Sequence, residues 1–285
     1  MKKIGVVIVN YNDSINAIKL FEMLNRYECI SEVVIVDNNS KEGYVKELRS
    51  YQADGLHTIY NSSNMGYAAA LNKGAKYLNK KYKKDINIIF ANTDIIVHEE
   101  ETIIKLNNLI NDEVKVGMVK VKEDGTFSYG WKLTSSLQDL ICNIPLINKL
   151  YKSNIYYYKN NYFKNDVNIV DVVYGCFFIV DGQTLFDIGY FDENTFLYFE
   201  ENILSRKLEK IAKKCAIDVS CYVTHAHNKT IGTNLSRYKK YKIYKKSQFY
   251  YEKEYNGANI FEMFFFKLFY YIRLAFLKTT CLIKK

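Results

Sequence analysis

Two acidic clusters in this sequence have residue types and spacing suited to chemistry on a phosphorylated substrate. The first is Asn92-Thr93-Asp94, set between the apolar runs "IIFA" and "IIV". A magnesium-type ion takes only one or two protein carboxylates and fills its shell with substrate phosphates and water, so one acid at such a strand tip is enough to hold it. The second is Glu200-Glu201, which follows Phe196, Tyr198 and Phe199 and opens a helical pattern. Apolar neighbours raise a carboxyl pKa towards values useful to a general base, and a transfer to an attacking hydroxyl needs such a base. Both clusters also have a plain reading. Asp94 can simply end a strand and cap a turn, and two glutamates in a first turn complement the helix dipole.

The elements that must position these acids alternate. "IGVVIV" (4–9), "EVVIVD" (32–37), "LHTIY" (56–60) and "INIIFAN" (86–92) read as strands. Between them lie helical patterns over 13–26, 45–51 and 66–78, and another follows over 99–110. Nearly continuous apolar strands separated by helices predict a mostly parallel sheet covered on both faces. Ligands bind such sheets at the carboxyl ends of the strands. Here those ends are Asn10-Tyr11-Asn12, Asp37-Asn38-Asn39, Asn61 to Asn64 and Asn92-Thr93-Asp94, which are expected to converge on one edge.

Beyond about residue 114 the alternation breaks down. A hairpin is expected around Asp124-Gly125, one buried strand over 170–182 interrupted by Gly175, and a helix with Leu204, Leu208 and Ile211 on one line. A strand-like 216–223 leads to His225 and His227. The usual phosphate grips are missing: no GxGxxG follows the first strand and no GxxxxGK[ST] occurs. That disfavours a dinucleotide-dependent dehydrogenase and a P-loop NTPase.

Six scattered cysteines without a CxxC pair argue against a zinc site and for reduced thiols. The initial apolar run is six residues, too short for a secretory signal, so a cytoplasmic protein is expected. The net charge of +9 is uneven: residues 201–285 hold 18 Lys+Arg against 6 Asp+Glu, whereas residues 1–200 hold 22 against 25. The final stretch, 259–285, is densely apolar but carries Glu262, Lys267, Arg273 and Lys278, too many charges for a spanning segment. A basic, aromatic-rich helix lying on the cytoplasmic face of a membrane fits it, with a homodimer contact as the plainer alternative. Nucleic acid is not expected, because no RNA-binding signature accompanies the charge.

In order, "VVIVNYN", "VVIVDNNS", "NMGYAAALNKG", "NTD", "GYFDENTFLYFEEN" and a late histidine resemble the family 2 glycosyltransferases, most nearly their rhamnosyltransferase-like and capsular-polysaccharide branch. The resemblance covers residues 4 to about 230 and implies a GT-A fold, α/β with a C-terminal helical extension, and inverting transfer from a nucleotide-diphosphate sugar. It implies a nucleotide-sugar-binding half over 1–118, an acceptor and catalytic half over 119–230, and a helical tail over 231–285. By position it places Asn10, Tyr11 and Asn12 along the nucleotide and Asp37 on base or ribose. Asn64, Gly66 and Asn72 form the wall beside them, and Asn92 and Thr93 stand beside the metal-binding Asp94. Glu201 becomes the base with Glu200 in support, and His225, with His227 as the alternative, a second ligand to Mg2+ or Mn2+. The implied acceptor is a hydroxyl of a glycan or glycolipid of the cell surface. Asn92 replaces the family's first acid, and this departure leaves open a catalytically inactive sugar-nucleotide-binding subunit. It also leads to the expectation that the ion binds tightly only with nucleotide.

Overall fold

The computed structural model describes residues 2–144, 153–226 and 236–282. The first half is built from β1 (Lys3–Asn10), α1 (Ser14–Leu24), β2 (Ile30–Asp37), α2 (Glu42–Ser50), β3 (Leu56–Tyr60), α3 (Tyr67–Lys81) and β4 (Ile86–Asn92). Ile4, Val6, Val7 and Ile8 of β1 are all buried, as expected of a strand covered on both faces. Helix α1 buries Ala17, Leu20, Phe21 and Leu24, a spacing of three and four that keeps one face on the sheet. These strands pair in parallel in the order β3-β2-β1-β4. Their register sets Asn10 opposite Asp37 and Val9 opposite Asn92, so the polar tips do end on one edge.

The second half contributes β5 (Ile95–Val97), α4 (Glu100–Asn108), β6 (Val114–Glu123), β7 (Thr126–Ser128), α5 (Ser136–Cys142), β8 (Val167–Val170), β9 (Phe177–Asp181), α6 (Gly182–Asp187), α7 (Glu200–Lys210) and β10 (Lys214–His225). All of its strands join the same sheet, in the order β3-β2-β1-β4-β9-β6-β10-β5, with β7 on β6 and β8 on β10. Residue 118, where the two halves were divided, lies inside β6. The hairpin at Asp124-Gly125 is present, with φ of 44° and 80° at its two turn residues.

The single strand expected over 170–182 is corrected. Only Phe177–Asp181 of that span is strand, as β9, which runs antiparallel between β4 and β6 at the sheet centre; β8 ends at Val170, where the span begins, and pairs antiparallel with β10. Residues 171–176 leave the sheet between them, and Gly175 is the reason they can approach the second acid cluster. A Cβ at position 175 would lie 1.5 Å from Glu201 Oε1. The glycine therefore marks a close approach of a carboxylate to the backbone.

Two further helices, α8 (Arg237–Glu254) and α9 (Ile260–Leu282), close the molecule. Ser136 Oγ of α5 donates to Glu262 Oε2 at the start of α9 (3.0 Å), and Phe266 is fully buried. Among the described residues no helix is long and apolar enough to cross a membrane.

Candidate active site

The strand-tip acid has one expected neighbour, His225, and through it one that the sequence did not reveal, Glu123. Asp94 lies in the turn joining β4 to β5, and its Oδ1 is 3.0 Å from His225 Nε2 at the end of β10. The other ring nitrogen, Nδ1, meets Glu123 Oε1 at the end of β6. Tyr174 OH in turn donates to both oxygens of Glu123, at 3.0 and 2.8 Å. Burial pulls the His225 imidazole down, but its hydrogen bonds to Asp94 and Glu123 prevail and hold its pKa above the ordinary histidine value. One ligand atom each from Glu123, Cys176 and His225 lie within 4.8 Å of one another. Glu123 thus supplies a second carboxylate where Asn92 withholds one. His227 lies outside the described residues, so the choice between the two histidines rests on His225 alone.

Asn92 and Thr93 have structural partners. Tyr67 OH donates to Asn92 Oδ1 (2.9 Å), and Thr93 Oγ1 donates to Asp13 Oδ2 (2.5 Å). Tyr67 itself was legible only as the first helical residue after Gly66. Its role comes from the turn before it, where Gly66 has φ 96° and a Cβ would meet the Phe196 carbonyl oxygen at 2.6 Å.

The acid pair begins α7. The two residues before it, Tyr198 and Phe199, have φ of 77° and 73°. Left-handed backbone at two successive aromatic residues is costly and persists only where the surroundings enforce it. The enforcing element is α8. Tyr244 packs against both rings, with centroids 5.6 and 5.2 Å away, Tyr251 against Phe199 at 5.2 Å, and Ser247 Oγ donates to the Leu197 carbonyl (2.8 Å). Glu200 is 3% exposed, and its Oε1 has no hydrogen-bond partner among the described residues. Burial raises the pKa of both Glu200 and Glu201, and for Glu200 the neighbouring Glu201 charge adds to it.

A cavity of about 1160 Å³ has Asn92, Glu123, His225, Glu200 and Glu201 among its walls, with Asp94 behind His225. The tips of β1, β2 and β3 lie elsewhere on the same sheet edge. Asn10 Nδ2 donates to Asp37 Oδ1 (2.7 Å) and to Ser14 Oγ (3.0 Å), and Ser40 N donates to Asp37 Oδ2 (3.0 Å). Asn12, left-handed at φ 57°, accepts from Lys41 N (2.8 Å), while Asn38 Nδ2 donates to Asn64 Oδ1 (3.0 Å). These amides lock three loops together, and Tyr11 stands 45% exposed beside them. Asn72 lies deeper: it exchanges hydrogen bonds with the Phe191 backbone and donates to Glu193, tying α3 to the segment before the acid pair. Ser40 is the framework residue that sequence reasoning passed over, while Asn38 was named only as part of a strand tip.

A ten-stranded mixed sheet flanked by helices, with polar tips gathered on one edge, places the molecule among the GT-A folds. The Glycosyl transferase family 2 model matches residues 5–181, more than half of the chain, and the chain belongs to that family. Among curated relatives it is 21% identical over 201 residues to the low-salt glycan biosynthesis hexosyltransferase Agl10 of Haloferax volcanii, covering 70% of this chain and 59% of that protein. Among solved structures it is similar to GalNAc-T7 with UDP, GalNAc and Mn2+ (TM-score 0.59, 13% identity, 94% of this chain and 54% of that one). It also resembles the mannosyltransferase PcManGT from Pyrobaculum calidifontis in complex with GDP-Man and Mn2+ (TM-score 0.52, 12% identity, 80% and 58%). A third likeness is to S. aureus TarS 1-349 (TM-score 0.52, 14% identity, 96% and 83%). The chain thus spans little more than half the length of Agl10 and of GalNAc-T7.

Proposed function

We propose that this protein is a divalent-cation-dependent, inverting glycosyltransferase. It moves a hexose-type sugar from a nucleotide-diphosphate donor to a hydroxyl of a lipid-linked surface glycan, working at the cytoplasmic face of a membrane. The observation that carries this reading is the placement of an unpartnered, buried Glu200 oxygen and the Glu201 carboxylate on the same cavity as Glu123 and His225. Glu123 and His225 offer a carboxylate and an imidazole within one ligand group, and Asp94 stands on the other nitrogen of the same ring, so carboxylate oxygens suited to Mg2+ or Mn2+ flank the histidine on both sides. Cys176 is the soft donor beside them, and burial pushes its thiol well above the ordinary range, so it stays protonated. When bound, the cation neutralises charge developing on the departing diphosphate.

The remaining work belongs to the chain. The loops around Asn10, Asn12, Asp37 and Asn64 form a fixed rim for the nucleotide, with Tyr11 exposed to cover it. Glu201, raised in pKa by burial, takes the proton of the acceptor hydroxyl as that hydroxyl attacks the anomeric carbon. Direct displacement inverts that carbon and needs one base on the face away from the leaving group. Glu200, buried beside it, keeps the pair from ionising together. Asn92 in place of an acid had left open an inactive sugar-nucleotide-binding subunit, and Glu123 beside His225 weakens that case.

Turnover of a panel of nucleotide sugars in the presence of Mn2+ tests the assignment. Asp94→Ala and Glu201→Gln should each lose about 10²–10⁴-fold in kcat, the range expected when a base or an electrostatic partner is removed. Equal turnover in all three proteins would sink it.

A further inference from the structure

The far wall of the same cavity carries positive charge that the transfer reaction does not use. Lys245 of α8 is 3% exposed, yet its ammonium reaches only neutral oxygens, donating to Asn143 Oδ1 and to Gln248 Oε1 (2.7 Å). Arg273 of α9 lies 5.6 Å from the centre of the Tyr241 ring, and Lys245 Nζ lies 5.7 Å from that same centre. All three residues line the cavity. Neither cation has a carboxylate within ion-pair distance among the described residues. The nearby acids are engaged: Asp139 accepts from Thr134, Tyr156 and Asn256, and Glu252 accepts from Asn256 and Gln248. Burial and the Arg273 charge both lower the pKa of Lys245, while Glu252 and Asp139 oppose them. A buried ammonium held only by amide oxygens, with a solvent-exposed guanidinium on the same aromatic ring and no carboxylate among the described residues paired to either, describes a wall suited to an anion.

We infer that Lys245 and Arg273 bind a phosphate group of the acceptor, so that the acceptor hydroxyl meets Glu201 while its phosphate rests on the α8–α9 wall. This rests on the glycosyl-transfer reading and adds the acceptor's chemical class. A phosphate offers several oxygens to an ammonium and to the fork of a guanidinium at once, which a neutral sugar does not. The distance between the two ends of the cavity is bridged by one aromatic layer: Tyr244, next to Lys245, touches Tyr198 and Phe199, which precede Glu200. Two sources of phosphate fit. One is a lipid phosphate, favoured by the apolar residues flanking Arg273 on α9, where Tyr271 and Ile272 are 64% and 46% exposed. The other is a phosphate within the glycan.

The test titrates the full chain by calorimetry in the presence of EDTA, which removes the cation site from the measurement. The probes are octyl phosphate below its micelle concentration, glucose 6-phosphate, and octyl glucoside as the uncharged control. Trp131, the sole tryptophan, lines the cavity and gives a second, fluorescent readout. At least one phosphate should bind about tenfold more tightly than octyl glucoside. Arg273→Met and Lys245→Met should each weaken that binding about tenfold, and Arg273→Lys should recover part of the loss. Equal binding of both phosphates assigns the group to the glycan, and binding of octyl phosphate alone assigns it to a lipid. If Lys245→Met fails to fold, Arg273→Met on an exposed helix carries the same test. Phosphate binding no better than octyl glucoside, or unchanged in both variants, overturns the inference. Binding of the nucleotide-sugar panel with Mn2+, measured on the same wild-type preparation, reports separately on the transfer reading. Donor binding without phosphate binding overturns the acceptor site alone, and phosphate binding without donor binding overturns the transfer.

Discussion

A buried carboxyl with one oxygen unpartnered, such as Glu200, costs folding free energy whenever it is ionised. Its folded pKa lies above its unfolded value, so the native state keeps its full stability below the unfolded pKa. It then loses stability as pH rises through the folded pKa. Glu200→Gln should therefore raise Tm at pH 8 by about 2–4 °C per kcal/mol recovered. The gain should vanish near pH 4, where both states are protonated. Thermal melts of the two proteins at these pH values check this, and an equal gain at pH 4 would show that charge is not its cause. The same scale shows what the sequence discloses about the site. Asp94 was legible because it interrupts an apolar pattern, the glutamate pair because it opens a helical pattern behind three aromatics, and His225 through the family resemblance. Glu123 was not, because an acid before Asp124-Gly125 in a hairpin reads as ordinary turn chemistry. Only the pairing of β6 with β10 brings it to His225.

At the scale of elements, the C-terminal helices belong to the site as well as to the surface. Helix α8 holds the left-handed turn at Tyr198-Phe199, and Tyr251, wholly buried against Phe199, is its main anchor. Tyr251→Ala should cost about 3–5 kcal/mol of stability, as large aromatic truncations do. It should also lower kcat with the donor panel. Tyr251→Phe, which keeps the ring and loses only the long hydrogen bond that its hydroxyl accepts from Arg206 Nε (3.3 Å), should cost about 1–2 kcal/mol and retain turnover. Denaturant melts and steady-state rates separate the two, and a full kcat in Tyr251→Ala would remove α8 from the site. The parallel half of the sheet was legible because each strand and helix declares its own period. The position of β9 was not. Its run "FFIVD" is apolar on both faces, which says that it is buried but not which strands it pairs with, or in which direction.

For the molecule as a whole, the excess of positive charge in residues 201–285 coincides with an apolar surface on α9. Ile260, Phe261, Phe264, Tyr271 and Phe276 are between 62% and 80% exposed. Aromatic residues on a basic helix suit the interfacial layer of an anionic membrane. Sedimentation with vesicles of phosphatidylcholine and phosphatidylglycerol should bring the protein down. Phe261→Glu with Phe264→Glu should reduce that binding about tenfold or more, since each removes buried apolar area and adds repulsion. Undiminished binding of the double variant would reject α9 as the contact.

The central place of β9 also bears on how the chain is made. Strand β4 ends at Asn92, but the neighbour that pairs along its open side ends at Asp181, 89 residues later. At about 5–20 residues per second, synthesis leaves that side uncovered for roughly 4–18 s. A nascent chain in that interval exposes the backbone of a strand whose Ile88, Ile89 and Phe90 are fully buried in the finished protein. The interval is when a chaperone would find its footing, and when overproduction would favour aggregates over folded protein.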